Sequence, residues 1–461
     1  MKVLIVGAGP AGSTAAYYLA KAGIDVTVLE KTSFPREKVC GDGLTPRAVR
    51  EIQKLGLPHP ENDGWRRNKG LRLIAGGRTI ELPWPEVSDF PQYGLIRTRL
   101  GFDEELARHA QAAGATILER HSVTEALRND AGRVTGVRAA LLDESGRKTG
   151  ETHEFPADVV LAADGNSTRT AVSLGIQKRD DRPLGVAIRT YFTSPRTDDD
   201  WMEGWLELRS PAPHASQARR GTRAGSLGRD GKLLPGYGWV FGVGDGTSNV
   251  GLGILNSSKE FGKLDYKQVL REWTAGMPAE WGFTPENQVG EIRGAALPMG
   301  FNRTPHYSPG LLLLGDAGGM VSPFNGEGIS YAMESARFAA EFIIDASSRT
   351  AASGGTYDAD AHLARYADYV RDQWGSHFTL GRAFAVLIGK PAVMKLALRT
   401  GMPIPVLMKF VVRLLANLTD PAAKGFEDRV IRVLEALVPA TSNTPSAPNQ
   451  RYPQQKVRVN P

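Results

Sequence analysis

The hydrophobic positions near the start of the chain form a short, unbroken run that ends in glycines. Residues 3–6 are Val, Leu, Ile and Val, and glycines follow at positions 7, 9 and 12. An uninterrupted apolar run of this length predicts a buried parallel strand. The segment 24–29, Ile-Asp-Val-Thr-Val-Leu, predicts a second strand. The chain is therefore predicted to open with a βαβ unit over residues 2–30.

Beyond residue 30 the pattern predicts two blocks of strands and a helical end. The predicted elements are, in order, short strands within 66–96, a helix from about Phe102 to Ala113, a strand from Thr116, strands through 121–162, an all-strand region at 184–295, and helices from Glu327 to about Leu437. Alternating apolar positions and Gly-containing turns indicate the strands. This order predicts an α/β fold, α+β overall, in which an antiparallel sheet domain interrupts a Rossmann-like domain.

The same pattern predicts the domain boundaries. The Rossmann-like domain is assigned to 1–65, 97–183 and 291–345, the substrate-binding sheet domain to 66–96 and 184–290, and the helical region to 346–438. Residues 439–461 are rich in Pro, Ser, Asn and Gln, which is typical of a disordered tail. Residues 210–230 carry four arginines and almost no large apolar residue, and are predicted to form a mobile loop.

The first strand and its glycines predict a nucleotide site. Gly7 permits the tight turn, Gly9 lets the backbone approach a pyrophosphate, and Gly12 lets the helix pack against the strand. Glu30, at the end of the second strand, is placed to accept hydrogen bonds from ribose hydroxyls, which favours FAD or NAD over NADP. The predicted contacts of the turn are Gly7, Gly9, Pro10, Ala11, Gly12 and Ser13.

Two later segments favour FAD over NAD. Asp164-Gly165 follows the apolar run 159–163, and Gly315-Asp316 follows the run 311–314. Either segment alone would be consistent with an Asp that merely caps the end of a strand. The ordered set resembles the FAD-dependent hydroxylase superfamily. That resemblance implies FAD, with Asp164 and Gly165 near the pyrophosphate, Asp316 on the ribityl chain, Gly328 and Ile329 beneath the flavin ring, and Arg99 reaching the cofactor. The alternative for Arg99 is a surface ion pair.

A loop and a strand narrow the resemblance. Cys40-Gly41-Asp42-Gly43 and the segment 234–241, which contains Tyr237 and Trp239 and is followed by Gly251 and Gly253, resemble the geranylgeranyl reductase family. Residues 205–210, 280–284 and 325–329 are most similar to the branch that saturates an isoprene unit in the tail of menaquinone. The resemblance covers residues 1–345 well and the C-terminal helices more loosely. The Arg-rich segment 210–230 departs from it as an apparent insertion.

The resemblance implies a reduction whose chemistry fits these residues. Saturating an isolated alkene requires a hydride from flavin N5 and a proton on the other carbon. Cys40 is a candidate proton donor or gate, although buried cysteines are also inert hydrophobes. Tyr237 and Trp239, two apart on a strand, face one side of the sheet. The resemblance places that side towards the flavin, lining a substrate tunnel; core packing is the alternative.

Charge and composition add a membrane hypothesis. The 461-residue chain carries a net charge of +6 and one cysteine, so no internal disulfide can form. No acidic residue occurs at 373–419, where Lys409 and Arg413 predict a basic stripe on an apolar helix. Such a helix favours contact of the region 382–417 with an anionic membrane surface. A buried helix with snorkelling ends is the alternative.

We expect a cytoplasmic protein, peripheral on the inner face of the cell membrane. No apolar run reaches the roughly 18 residues that span a bilayer, and no signal peptide or nucleic-acid motif is apparent. No metal site is expected. The electron donor stays open between NADH, NADPH and a ferredoxin, because no second glycine fingerprint occurs.

Three alternatives to menaquinone-tail reduction stay open. The same flavin motifs would serve a reductase of another prenyl lipid, or an FAD-dependent monooxygenase acting on an aromatic or polyketide substrate. A prenyl-lipid carrier similar to the GDP-dissociation inhibitors would bind no flavin. The presence of Glu30, Asp164 and Asp316 speaks against the carrier.

Overall fold

The computed structural model describes residues 1–211, 231–420 and 425–442. Its strands are β1 (Lys2–Val6), β2 (Asp25–Leu29), β3 (Gly43–Leu44), β4 (Arg66–Asn68), β5 (Gly70–Ala75), β6 (Arg78–Pro83), β7 (Gly94–Ile96), β8 (Thr116–Leu118), β9 (His121–Arg128), β10 (Val134–Leu142), β11 (Lys148–Pro156), β12 (Val159–Ala162), β13 (Leu184–Thr193), β14 (Trp201–Trp205), β15 (Gly236–Gly242), β16 (Thr247–Leu255), β17 (Gln288–Pro298), β18 (Tyr307–Ser308) and β19 (Leu311–Leu313). Its α-helices are α1 (Pro10–Lys21), α2 (Pro46–Leu55), α3 (Arg99–Ala112), α4 (Arg169–Ser173), α5 (Tyr266–Ala275), α6 (Ile329–Ala352), α7 (Ala359–Ile388), α8 (Pro391–Thr400), α9 (Pro405–Leu415) and α10 (Phe426–Ala436).

The first sheet is the predicted Rossmann-like sheet. Its order is β18-β19-β12-β1-β2-β8, and only the β18–β19 pairing is antiparallel. Val3 and Ile5 pack towards α1, α3 and α6, whereas Leu4 and Val6 pack towards the small β9–β11 sheet. Because both faces are covered, the strand is a continuous apolar run. The α/β fold predicted from that run is confirmed.

The second sheet has the order β17-β13-β16-β15-β14-β5-β6. It departs from the expectations at two points. The sheet is not wholly antiparallel, because β14 pairs with β5 in parallel, Trp201 opposite Gly70. The region 184–295 is not all strand either, because it contains α5, whose Val269, Leu270 and Trp273 are buried against one face of this sheet. The domain boundaries themselves stay a prediction.

The C-terminal helices differ from expectation at two points. Arg413 does not share an exposed stripe with Lys409: its guanidinium lies 3.2 Å from the Asp428 carboxylate and donates to Glu86 O. The predicted disordered tail begins in contact with α7, since Thr441 is buried and its N–H donates to Gly375 O at 3.0 Å. The rest of that tail, 443–461, and most of the Arg-rich loop, 212–230, lie outside the described residues. No described helix is long and apolar enough to cross a membrane.

A buried ion-pair cluster joins α2 to α6. Glu334 is fully buried and accepts from Arg47 and Arg50, each at 2.6 Å. Arg47 also donates to Asn417 O at 2.9 Å, just past the end of α9. The cluster therefore fixes the C-terminal helices to the body of the molecule.

We expect Glu334→Ala to destabilise the fold by about 3–5 kcal/mol, because the Arg47 guanidinium would stay buried without its counter-ion and Arg50 would keep only Glu51, at 3.3 Å. Glu341→Ala is the matched control: it lies on the same helix, its carboxylate is 55% exposed, and its pair with Arg337 spans 2.8 Å. That change should cost no more than about 1 kcal/mol. Urea denaturation of both variants measures the difference, and equal losses would contradict the expectation.

Candidate functional site

One cavity of about 1000 Å³ extends from the carboxyl end of the first sheet, across the second sheet, to the C-terminal helices. It brings together most of the predicted site residues. Those that line it are Gly7, Gly9, Pro10, Ala11, Glu30, Cys40, Gly41, Gly43, Arg99, Asp164, Gly165, Tyr237, Trp239, Asp316, Gly328 and Ile329. Gly12, Ser13 and Asp42 are buried and do not line the cavity.

The glycine turn forms one end of the cavity. Gly7 has a φ of +95°, and a Cβ there would lie 2.6 Å from Ala163 O. A Cβ on Gly12 would lie 1.8 Å from Gly7 O. Only glycine therefore permits this approach of β1, α1 and the strand end that precedes Asp164. Gly9, Pro10 and Ala11, at the start of α1, line the cavity, and a helix start is where a pyrophosphate binds.

Two carboxylates flank the turn. Glu30 accepts from the N–H groups of Ala8, at 2.9 Å, and Thr32, at 3.1 Å. Asp164 accepts from the Thr170 N–H and hydroxyl with Oδ2, whereas its buried Oδ1 has no partner among the described residues. Burial raises the pKa of Asp164. The glycine-lined cradle and the unpaired Asp164 oxygen fit a bound dinucleotide.

Arg303 is a residue of this site that sequence reasoning missed. It is 2% exposed, and its guanidinium donates to Asn166 O at 3.3 Å and to Ala317 O at 3.2 Å. It thereby joins the loop after Asp164 to the loop after Asp316. Burial lowers its pKa to about 10. No spacing or motif marks this arginine in the sequence.

Arg99 lies in a buried ion pair, so the surface alternative is wrong. Its guanidinium donates to both oxygens of Asp103, at 2.6 and 2.8 Å, and Arg36 lies 3.0 Å from the same carboxylate. Burial raises the pKa of the Cys40 thiol, and the nearby Arg99 guanidinium partly opposes that rise. Contact of Arg99 with the cofactor stays a prediction.

Asp42 ties the Cys40 loop to the second sheet. Its carboxylate is fully buried and accepts from the Tyr191 hydroxyl and the Asn249 amide, each at 2.6 Å, and from the Arg99 N–H at 3.2 Å. Asn249 also donates to Cys40 O at 3.0 Å. Burial raises the pKa of Asp42 to about 6, although the hydrogen bonds from Tyr191 and Asn249 act to lower it. Tyr191 and Asn249 were not predicted as site residues.

Tyr237 and Trp239 form the wall beside this loop. Their ring centroids lie 6.1 Å apart, and the Trp239 indole N–H donates to Asn249 Oδ1 at 2.9 Å. The Tyr237 hydroxyl donates to Asn325 O at 2.8 Å. A Cβ on Gly251 would lie 2.2 Å from Trp239 Cζ2, so this glycine makes room for the indole.

Past this wall the cavity continues as an apolar arm. We call the following residues the apolar arm: Leu71, Leu73, Trp84 and Leu206 from the second sheet, and Met394, Leu398, Met402, Leu407, Met408, Val411 and Leu415 from α8, α9 and the turn between them. None of them carries a charge. An arm of this kind suits a long hydrocarbon chain.

The chain is similar in sequence and in fold to known proteins. A family model described as an FAD binding domain matches residues 1–226. The chain is 34% identical over 431 residues to menaquinone reductase of Mycobacterium tuberculosis, covering 93% of this chain and 94% of that protein. It is 30% identical to digeranylgeranylglycerophospholipid reductase 1 of Methanopyrus kandleri, covering 84% of this chain and 90% of that protein. A geranylgeranyl bacteriochlorophyll reductase-like structure from Thermoplasma acidophilum superposes with a TM-score of 0.71 at 20% identity, covering 95% and 99% of the two chains.

We expect Asp42→Asn to remove a pH dependence of stability. The folded-state pKa is raised from 3.8 to about 6, so the contribution of Asp42 is fully present below 3.8 and is lost as the pH rises through about 6. The stability of the parent relative to the variant should therefore fall by about 1 kcal/mol between about pH 5 and about pH 7. Asparagine tolerates the φ of 64° at this position.

Urea denaturation at several pH values measures this fall. Asp143→Asn, on an exposed hairpin, is the control. Hydrogen bonds from Ser145 and Arg147 lower the pKa of Asp143, so replacing it should change nothing in this pH range. If the difference in free energy of unfolding between the parent and Asp42→Asn does not change with pH, the expectation is contradicted.

Proposed function

The chain belongs to the geranylgeranyl reductase family of FAD-dependent oxidoreductases, in its menaquinone reductase branch, and we propose that it saturates an isoprene C=C bond in the polyprenyl tail of menaquinone. The observation that carries the proposal is the continuity of the cavity, which runs from the glycine turn past Tyr237 and Trp239 into the apolar arm. A nucleotide-binding end and a hydrocarbon-binding end thus share one space. The FAD-dependent reductases named above are relatives over most of the chain.

The residues at the first end would hold FAD. We assign the pyrophosphate to Gly7, Gly9 and the start of α1, the ribose to Glu30, and the ribityl chain to Asp316, with Gly328 and Ile329 beneath the ring. When bound, FAD supplies the hydride for the alkene. The Cys40–Gly43 loop would then cover the ring, held by Asp42 against β13 and β16.

The aromatic wall would position the alkene and exclude water. The faces of Tyr237 and Trp239 would favour the positive charge that develops on the carbon next to the one being protonated, which is the carbon that receives the hydride. The Trp239 N–H and the Tyr237 hydroxyl are both engaged in hydrogen bonds, so the rings have fixed orientations. An alkene held between this wall and the flavin would react in a dry space.

The uncharged lining of the apolar arm supports a neutral lipid tail over a prenyl diphosphate. A diphosphate within the arm would lack any charged partner there, at a high desolvation cost. The polar groups of an aromatic or polyketide substrate would also lack partners there, so the arm favours the reductase over the monooxygenase.

The first experiment is to reduce the purified protein with dithionite under anaerobic conditions and incubate it with menaquinone in liposomes. We expect the lipid to gain two hydrogens, seen as about two mass units in the tail fragment after the quinone ring has been reoxidised. Geranylgeranyl lipids serve as the comparison substrate. If neither tail gains hydrogen, the reductase proposal fails and the monooxygenase becomes the better hypothesis.

We also propose that α8 and α9 lie in the surface of the membrane that holds this lipid. The inner faces of the two helices contribute Met394 and Met408 to the cavity. Their outer faces expose Leu396, at 62%, and Val406, at 72%. Lys395 and Lys409 are exposed beside these apolar residues. An exposed apolar face with neighbouring lysines suits an anionic bilayer surface.

Replacing Leu396 and Val406 together by serine should weaken binding to phosphatidylglycerol vesicles by about ten-fold or more, because each apolar side chain buried in lipid contributes about 1.5–3 kcal/mol. Vesicle co-sedimentation measures the change. Val289→Ser, a residue 45% exposed on β17, is the control and should bind like the parent. Equal binding by parent and double variant would count against this surface.

A further inference from the structure

We propose that Glu327 is the acid that delivers the proton to the alkene, an inference that rests on the proposed prenyl reduction. Glu327 lies directly before Gly328, the residue that caps the start of α6, and its side chain lines the cavity. It occupies the segment between the aromatic wall and the end of the cavity assigned to the flavin. Glu327 belongs to the segment 325–329, one of those that carry the resemblance to the menaquinone branch.

The Glu327 carboxyl lies in the cavity without a counter-ion. Its Oε1 accepts from the Thr45 hydroxyl at 2.5 Å, and no ion pair to it occurs among the described residues. The nearby Arg47 guanidinium is committed to Glu334, at 2.6 Å, and to Asn417 O. A carboxyl placed in an apolar cavity without a paired cation favours its neutral form.

Burial raises the pKa of Glu327, in agreement with this environment. A carboxyl with a raised pKa keeps its proton to a higher pH, which a general acid requires.

The other protic groups at this place are weaker candidates. The Tyr237 proton is donated to Asn325 O at 2.8 Å, and burial raises the pKa of Tyr237 to about 12. Burial likewise raises the pKa of the Cys40 thiol. A carboxylic acid is intrinsically stronger than a thiol or a phenol. Among these three groups Glu327 is thus the strongest acid facing the cavity.

The step balances with reduced FAD as the named reductant. The alkene π bond breaks, one carbon gains the hydride that reduced FAD supplies, and the other carbon gains the Glu327 proton. The O–H electrons stay on the Glu327 carboxylate. After the product leaves, solvent returns a proton to this carboxylate, which keeps its hydrogen bond from the Thr45 hydroxyl.

The test compares Glu327→Gln with the parent holoenzyme in a single turnover with menaquinone, after reduction by dithionite. Removing a general acid typically costs 10²- to 10⁴-fold, so we expect the rate of tail reduction to fall by at least about 100-fold. FAD content and bleaching by dithionite should match the parent. In D₂O the parent should place two deuterium atoms in each reduced isoprene unit, because the N5 hydrogen of dithionite-reduced flavin also comes from solvent.

Cys40→Ser distinguishes the two candidate acids. A rate within a few-fold of the parent in Glu327→Gln, together with a loss of about 100-fold in Cys40→Ser, overturns the proposal. Failure of the parent to reduce either lipid tail would instead refute the underlying function, whereas failure of Glu327→Gln alone supports the acid role.

A pH profile of the parent keeps the proposal falsifiable even if the variant loses FAD. The single-turnover rate should fall as the pH rises through the raised pKa of Glu327. Four ionisable groups interact electrostatically with this carboxyl: Arg47, Tyr237, Tyr331 and Glu334. A rate that stays constant from about pH 5 to about pH 9, well above the ordinary glutamate pKa of about 4.3, overturns the proposal.

Discussion

The hydrogen bonds to the buried carboxylate of Asp42 hold the two functional halves of the molecule at a fixed distance. Tyr191 and Asn249 reach this carboxylate from β13 and β16, whereas Asp42 itself belongs to the loop beside the glycine turn. Further bonds join the Cys40 loop to the same sheet, because Arg189 on β13 donates to Glu37 and to Lys38 O, and Asn249 donates to Cys40 O. The aromatic wall depends on the same group, because Trp239 is oriented by Asn249. Burying a carboxylate costs free energy, and the hydrogen bonds to Asp42 offset that cost only while the loop and the sheet keep these positions.

The first sheet could be predicted from sequence because its physics is local. A strand covered on both faces must be apolar throughout, and a turn that approaches another strand end must be glycine, as Gly7 and Gly12 are. The polar partners of the site could not be predicted in this way. Tyr191 lies 149 residues from Asp42, and Asn249 lies 207 residues from it. No local pattern encodes such pairings, and the same holds for Arg303.

The errors in the second sheet have a related cause. The parallel pairing of β14 with β5 is set by tertiary contacts between segments far apart in the chain, not by periodicity. By contrast, α5 carried a readable signal. Asp265 caps it by accepting from the Gln268 N–H, and Val269, Leu270 and Trp273 lie on one face. Strand-like neighbours on both sides concealed this helical spacing.

The chain order of the first sheet also has a consequence for biosynthesis. The central strands β1 and β12 come from residues before 163, but β19, which flanks β12, ends at Leu313, and the Asp316 loop follows it. The ribosome must therefore release most of the protein before the cofactor cradle can close. Until then, apolar strand edges of the nascent chain stay unpaired, which is the state in which chains associate wrongly. Burial of these strand edges and completion of the cofactor cradle therefore both depend on the late segment that contains β19 and the Asp316 loop.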